Sequence, residues 1–221
     1  MIPESIQTWQ MTEPGQLVKT RVPMPSLGAD DVVIKIAGCG VCHTDLSYFY
    51  MGVPTVQKPP LSLGHEISGT IVGGRADMIG KEVVVPAVIP CGTCELCKTG
   101  RGNRCLAQKM PGNSMGIYGG FSSHIVADAR FLCPIVSRGD TPLEHLSVVA
   151  DAVTTPYQAA RRADLQPGDR VIVIGAAGGV GSFMVQTAKG MGAGTVIGID
   201  INEEKLEMMK GFGADFTVNP K

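Results

Sequence analysis

"VIVIGAAGGVG", residues 171–181, runs from an apolar strand through a glycine-rich turn into a helix. Written as A-x-G-x-x-G, the turn uses Ala176, Gly178 and Gly181, with Gly179 and Val180 between them. Gly178 lets the backbone approach a pyrophosphate, and Gly181 lets the helix pack closely on the strand. The helix N-terminus then faces the anion. Further on, "TVIGID" ends in Asp200. An acid at that distance binds the adenosine ribose hydroxyls and repels a 2′-phosphate, which favours NAD over NADP. The competing reading is a tight βαβ turn with no ligand.

Around this turn the pattern alternates. Strands at 170–175, 195–200 and 214–218 flank helices at 179–191 and 203–212. Such alternation predicts a parallel α/β sheet. On the first helix, Val180, Phe183, Met184, Thr187, Ala188 and Met191 share one predicted apolar face. Asn202 is a good N-cap for the second, with Glu203 and Glu204 set against the helix dipole. The sequence stops after the third strand, whereas a complete dinucleotide fold has two halves and six strands. The expectation is therefore a first half, either a window on a longer chain or a fragment that should not turn over well.

Residues 1–140 read differently. Short β-like runs at 31–38, 66–73, 81–89, 122–128 and 131–136 are separated by Gly, Pro and Asn. Val32, Ile34 and Ile36 alternate with Val33 and Lys35. This predicts a mostly antiparallel β domain. A helical pair, 141–149 and 151–163, leads into the α/β part. The division is residues 1–150 and 151–221, and the fold class is mixed β and α/β.

The 221 residues carry a net charge of -1 and 18% charged side chains, with no basic excess to attract nucleic acid or a membrane surface. No apolar run reaches spanning length, and the N-terminus lacks a signal pattern. The expected location is cytoplasmic, where thiols stay reduced.

Four of seven cysteines sit in "CGTCELCKTGRGNRC", residues 91–105. Disulfides fit poorly with an odd cysteine count and a reducing compartment. The spacing of Cys91, Cys94, Cys97 and Cys105 lets four thiolates converge on one Zn²⁺ and leaves no open position. Such an ion staples a loop and does no chemistry. Lys98, Arg101 and Arg104 would offset the charge of the thiolates. Cys39 and Cys133 read as small buried hydrophobes.

"GCGVCHTDL" (38–46) and "LGHEISG" (63–69) carry further metal donors. Cys42 and His65 would supply two of the three protein ligands of a catalytic zinc. The third must come from elsewhere, and Asp151 is the candidate. Glu66 could serve as an alternate ligand during exchange. Asp45 could accept the second ring N–H of His65 and fix its tautomer.

Taken together, "GVCHTD", "GHE", the four-cysteine lobe, "GAAGGVG" and "GIDINEEKLEMMKGFGADFTVNP" resemble the zinc-dependent medium-chain alcohol dehydrogenases over nearly the whole sequence. The resemblance implies a GroES-like β catalytic domain followed by a Rossmann domain. It implies two Zn²⁺ per chain and NAD, with Cys42, His65 and Asp151 on the catalytic ion and Glu66 nearby. It implies that Thr44 hydrogen-bonds the alcohol, His43 contacts the pyrophosphate and Lys205 the ribose. Ser47 stands where many relatives have the histidine that ends the proton relay. The segment from Gly69 to Gly80 is shorter than in the family. The stretch "CHTDLSYFYMGVPTVQKPPLSLGHEISG" is similar to one branch that oxidises an allylic ring alcohol on a CoA thioester to the conjugated ketone. Homo-oligomers, dimers or tetramers, are also implied.

Two rival readings stay open. A zinc-free enoyl or quinone reductase of the same fold would also suit "GAAGGVG", and metal content separates it. A non-catalytic binding protein would use the zinc lobe as an interaction module, with Lys98, Arg101, Arg104 and Lys109 as a small basic patch. Strongly salt-dependent DNA affinity would reveal that use.

Overall fold

Strand β1 (Ser5–Glu13) turns back through Gly15, at φ +87°, into antiparallel β2 (Gln16–Pro23). The β-rich reading did not extend to this hairpin, because its inward positions are partly polar. Thr8 and Gln10 are both buried, so the apolar alternation is broken. The computed structural model describes residues 2–221. They divide into two units, one running to Ala150 and the other Asp151–Lys221.

In the first unit, strands β3 (Asp31–Gly40), β5 (Glu66–Gly74), β6 (Glu82–Val85), β7 (His124–Asp128) and β8 (Cys133–Pro134) form an antiparallel sheet. Their order is β7-β3-β5-β6-β8. The short β4 (Leu61–Ser62) pairs with β1 in a separate sheet. Val32, Ile34, Ile67, Ile71, Val83 and Ile125 fill the core. Val33, expected on the opposite face, is equally buried, so β3 is covered on both sides there. The run 81–89 is strand only to Val85, because Pro86 has no N–H for the ladder. Ile89 instead forms a bridge with Lys109, two N–H···O bonds of 2.8 Å that close the neck of the cysteine lobe. Cys133 is exposed on β8 and is not the buried side chain expected; Cys39 is partly buried.

Helix α1 (His43–Met51) was also unread in the sequence. It starts at Cys42 as N-cap and ends at Gly52 in the left-handed region, a normal pair of boundaries with an unusual cap residue. The one-turn α2 (Glu95–Lys98) lies in the cysteine lobe. The expected helix at 141–149 is a 3-10 segment, Leu143–Ala150, and packs on β3, β5 and β6. Gly38 makes that packing possible, since a Cβ there would meet the Glu144 backbone at 2.5 Å.

In the second unit, α3 (Thr154–Arg162) begins three residues later than expected. Strands β9 (Arg170–Ile174), β10 (Thr195–Ile199) and β11 (Phe216–Val218) are parallel, in the order β11-β10-β9. Helices α4 (Gly179–Gly190) and α5 (Glu203–Gly211) connect them. The predicted stripe on α4 is displaced: Val185, absent from it, is fully buried, while Val180 is 43% exposed. The close approach of Gly181 to the Gly175 carbonyl turns the 181–185–188 line of the helix toward the sheet. The architecture is an antiparallel β unit followed by a parallel α/β sheet of three strands, the mixed β and α/β organisation expected from the sequence. No helix among the described residues is long and apolar enough to cross a membrane.

Candidate active site and metal centres

The cysteine lobe brings all four predicted thiols together. Three of the Sγ···Sγ separations are 3.5 Å (Cys94–Cys97), 3.8 Å (Cys94–Cys105) and 3.9 Å (Cys91–Cys97). A tetrahedron with Zn–S bonds of about 2.3 Å has edges of about 3.8 Å, so the thiols already have the spacing of a zinc tetrathiolate. Backbone N–H groups point at the sulfurs. Cys94 N donates to Cys91 Sγ at 3.4 Å, and Cys91 N to Cys105 Sγ at 3.3 Å. Hydrogen bonds from the Thr93 and Cys94 backbone pull the Cys91 thiol down to about 5. Burial, reinforced by Cys94, pushes Cys97 up to about 12. Lys98, Arg101 and Arg104 are exposed on the lobe.

The second centre gathers Cys42, His65, Glu66 and Asp151, whose ligand atoms lie within 4.8 Å of one another. One sulfur, one imidazole and two carboxylates suit a borderline-soft ion such as Zn²⁺. Cys42 is the N-cap of α1, and His65 and Glu66 enter β5, both buried. Glu66 pairs with Gly40, where any Cβ would run into the Glu66 carboxylate. Asp151 is joined by one peptide bond to Ala150, the end of the 3-10 segment, so its backbone is carried by that segment. The segment is pinned by Ser68 Oγ, which donates to the Leu143 carbonyl at 2.7 Å. Beyond it, the Thr155 hydroxyl donates to Asp151 Oδ1.

Asp45 Oδ1 pairs with His65 Nδ1 at 3.6 Å, the partner the sequence reading expected, at a separation longer than a direct hydrogen bond. Its carboxylate accepts the Cys42 N–H at 3.0 Å and the Gly64 N–H at 2.9 Å. A buried carboxylate needs such donors, and these two belong to the segments that carry Cys42 and His65. Burial, with the Asp45 charge adding to it, pushes the Cys39 thiol well above the ordinary range.

The Cys42 thiol donates to Thr44 Oγ1 at 3.7 Å, so the hydroxyl lies at the edge of this centre. His43, at the start of α1, is exposed. Ser47 Oγ donates to the His43 carbonyl at 2.9 Å, a bond within its own helix.

In the second unit, Gly175 at φ +73° makes the sharp exit from β9, a part the sequence reading assigned to no residue. Ala176 is fully buried against β10, where Gly198 leaves it room. Gly178 caps α4, while Gly179 has open space around it. Asp200 accepts the Ala177 N–H at 3.0 Å and the Asn202 N–H at 3.1 Å. The Asn202 and Ala177 donors hold its carboxyl below the usual carboxylate range. Lys205 follows in the first turn of α5, its N–H donating to the Asn202 cap at 3.0 Å.

Gly40, Ser68, Gly175 and Thr155 were not singled out from the sequence. For Thr155 a signal existed, since it lies one helical turn after Asp151.

Comparison with known proteins agrees with this geometry. Residues 28–137 match the family described as alcohol dehydrogenase GroES-like domain, and residues 179–221 the family described as zinc-binding dehydrogenase. The chain is 36% identical to an alcohol dehydrogenase of Geobacillus stearothermophilus, over 90% of this chain and 58% of that protein. It is 34% identical to an NAD-dependent alcohol dehydrogenase of Sulfolobus acidocaldarius, over 89% of this chain and 58% of that protein. The crystal structure of galactitol-1-phosphate dehydrogenase from Escherichia coli superposes with a TM-score of 0.86 at 30% identity, covering 97% of this chain and 61% of that one. The chain thus spans about three fifths of the length of these relatives.

Proposed function

We propose that the protein carrying this chain is a zinc-type medium-chain alcohol dehydrogenase that oxidises a secondary alcohol to a ketone with NAD⁺, a reading supported by its similarity to such enzymes. The observation that carries this reading is the gathering of Cys42, His65, Glu66 and Asp151 beside the Thr44 hydroxyl. Zinc and NAD⁺, when bound, supply a Lewis acid for the substrate oxygen and an acceptor for its hydride. Cys42, His65 and Asp151 would hold the metal, with Glu66 as an exchange ligand. Thr44 accepts the hydroxyl proton of the substrate and passes it on. Ser47 is a poor next carrier, because its hydroxyl already donates within α1. The amides that open α4 after Gly178 bind the pyrophosphate, with His43 as a further contact. Each Asp200 oxygen takes one backbone N–H and keeps acceptor capacity for a ribose hydroxyl, beside Lys205.

The substrate we favour is 6-hydroxycyclohex-1-ene-1-carbonyl-CoA, oxidised to the 6-oxo enone in the degradation of aromatic compounds. Similarity of residues 42–69 to that branch of the family supports it. We place the protein in the cytoplasm, where the thiols of both centres stay reduced, and expect a homo-oligomer, dimer or tetramer. NADH formation by the purified full-length protein tests the reading. The ring alcohol thioester should be turned over faster than simple secondary alcohols. Equal rates would remove the CoA assignment, and no turnover of any alcohol by zinc-loaded protein would remove the activity. The zinc-free reductase reading is disfavoured by the two four-donor groups, and metal analysis decides between them.

A further inference from the structure

A carboxylate in a catalytic metal site raises a problem that a thiolate does not. A sulfur offers one donor atom, whereas a carboxylate can bind through one oxygen or both. With Cys42 and His65 each giving one atom, a two-oxygen Asp151 would complete four protein donors. A catalytic zinc needs three, with one position left for substrate. Something must hold Asp151 to one oxygen.

The geometry points to Thr155 as that positioning residue: its hydroxyl engages Asp151 Oδ1 and keeps Asp151 a one-oxygen ligand. This inference rests on the reading of Asp151 as a metal ligand given above. Thr155 donates twice to Asp151, through its hydroxyl to Oδ1 and through its N–H to the main-chain carbonyl at 2.8 Å. Backbone and side chain are therefore tied to the same residue, one turn apart. A β-branched side chain is stiff at χ1, so the hydroxyl is held in place by the bond its own backbone makes. From the other side, Asp151 is fixed by the 3-10 segment, docked through Ser68 Oγ on Leu143 and through the missing Cβ of Gly38. With its main chain held at both ends and Oδ1 engaged, the carboxylate is hindered from swinging to present both oxygens.

The test uses the full-length protein with Co²⁺ at both centres, and the variants Thr155→Val, Thr155→Ala, Thr155→Ser and Asp151→Ala. Val keeps the shape and removes the donor; Ala repeats the test without added apolar atoms. In Val and Ala variants, the strong visible bands of four-coordinate cobalt at the catalytic centre should give way to weaker five-coordinate absorption. Metal affinity there should fall by about 10- to 100-fold. Ser should restore both. The cobalt–thiolate bands of the four-cysteine lobe should stay constant in every variant, which reports an intact fold. Wild-type spectrum and affinity at the catalytic centre in the Val and Ala variants would overturn the inference. If Asp151→Ala loses the catalytic metal while the Thr155 variants keep it unchanged, only this inference falls. If Asp151→Ala keeps both metals at wild-type affinity, the ligand reading beneath it falls too.

Discussion

The Asp45 carboxylate accepts the Gly64 backbone N–H at 2.9 Å and so fastens helix α1 to the loop that delivers His65. With its second oxygen on the Cys42 N–H, one side chain ties together the segments of Cys42 and His65, the two proposed metal donors. Asp45→Ala should strip both amides of their acceptor, at about 1–3 kcal/mol for each group left unsatisfied. It should also weaken metal binding at the catalytic centre by about 10- to 100-fold. Zinc analysis beside thermal melting checks this. A stable variant with both zincs at wild-type affinity would show that the two segments are placed by other contacts.

The cysteine lobe has its own prediction. Cys97→Ser should remove one zinc per chain and leave the catalytic metal in place. Cys133→Ser, on the exposed edge strand, should leave both. Native mass spectrometry counts the ions directly, and loss of zinc from the Cys133 variant would contradict the assignment.

The glycine turn separates two superficially similar changes. A Cβ on Gly181 would strike the Gly175 carbonyl, whereas one on Gly179 meets nothing within 4 Å. Gly181→Ala should destabilise the second unit by about 1–3 kcal/mol, the usual range for overpacking. Gly179→Ala should be near neutral in stability. Denaturant titration of the two variants checks the contrast, which fails if they unfold alike.

Acid should weaken the second unit in a defined window. Asp215 accepts the Lys189 ammonium at 2.6 Å and the Val196 N–H at 2.7 Å, and both hold its carboxyl below the usual range. A lowered folded pKa means that near pH 4 the unfolded chain binds more protons than the folded one. The stabilisation is therefore complete above the unfolded value of about 3.9 and disappears as pH falls through the folded value. Wild type and Asp215→Asn should differ most at neutral pH and converge in acid. A gap that stays constant with pH would mean that the carboxylate charge contributes nothing.

Much of this was legible because metal and nucleotide chemistry constrain spacing tightly. Cys91, Cys94, Cys97 and Cys105 could be grouped from their intervals alone, and the parallel pairing of β9, β10 and β11 was expected from the strand–helix alternation around Gly178. The hairpin β1–β2 was hidden because Thr8 and Gln10 occupy core-facing positions. Helix α1 was hidden because its N-cap is Cys42 and its apolar residues form no clear stripe. The role of Asp45 was only half legible. Its place beside His65 could be read, but only the fold brings the Gly64 amide within reach of the same carboxylate.

The bridge between Ile89 and Lys109 makes the cysteine lobe a detachable cassette. Everything between those residues leaves and re-enters the β unit at one antiparallel pair, the kind of doorway a two-residue turn can span. A shortened chain in which Asn-Gly joins Ile89 to Lys109 should keep the five-stranded sheet and the catalytic donors while carrying one zinc fewer. The scaffold would then accept loops of other lengths and chemistries at that doorway, as an insertion point chosen by the protein itself.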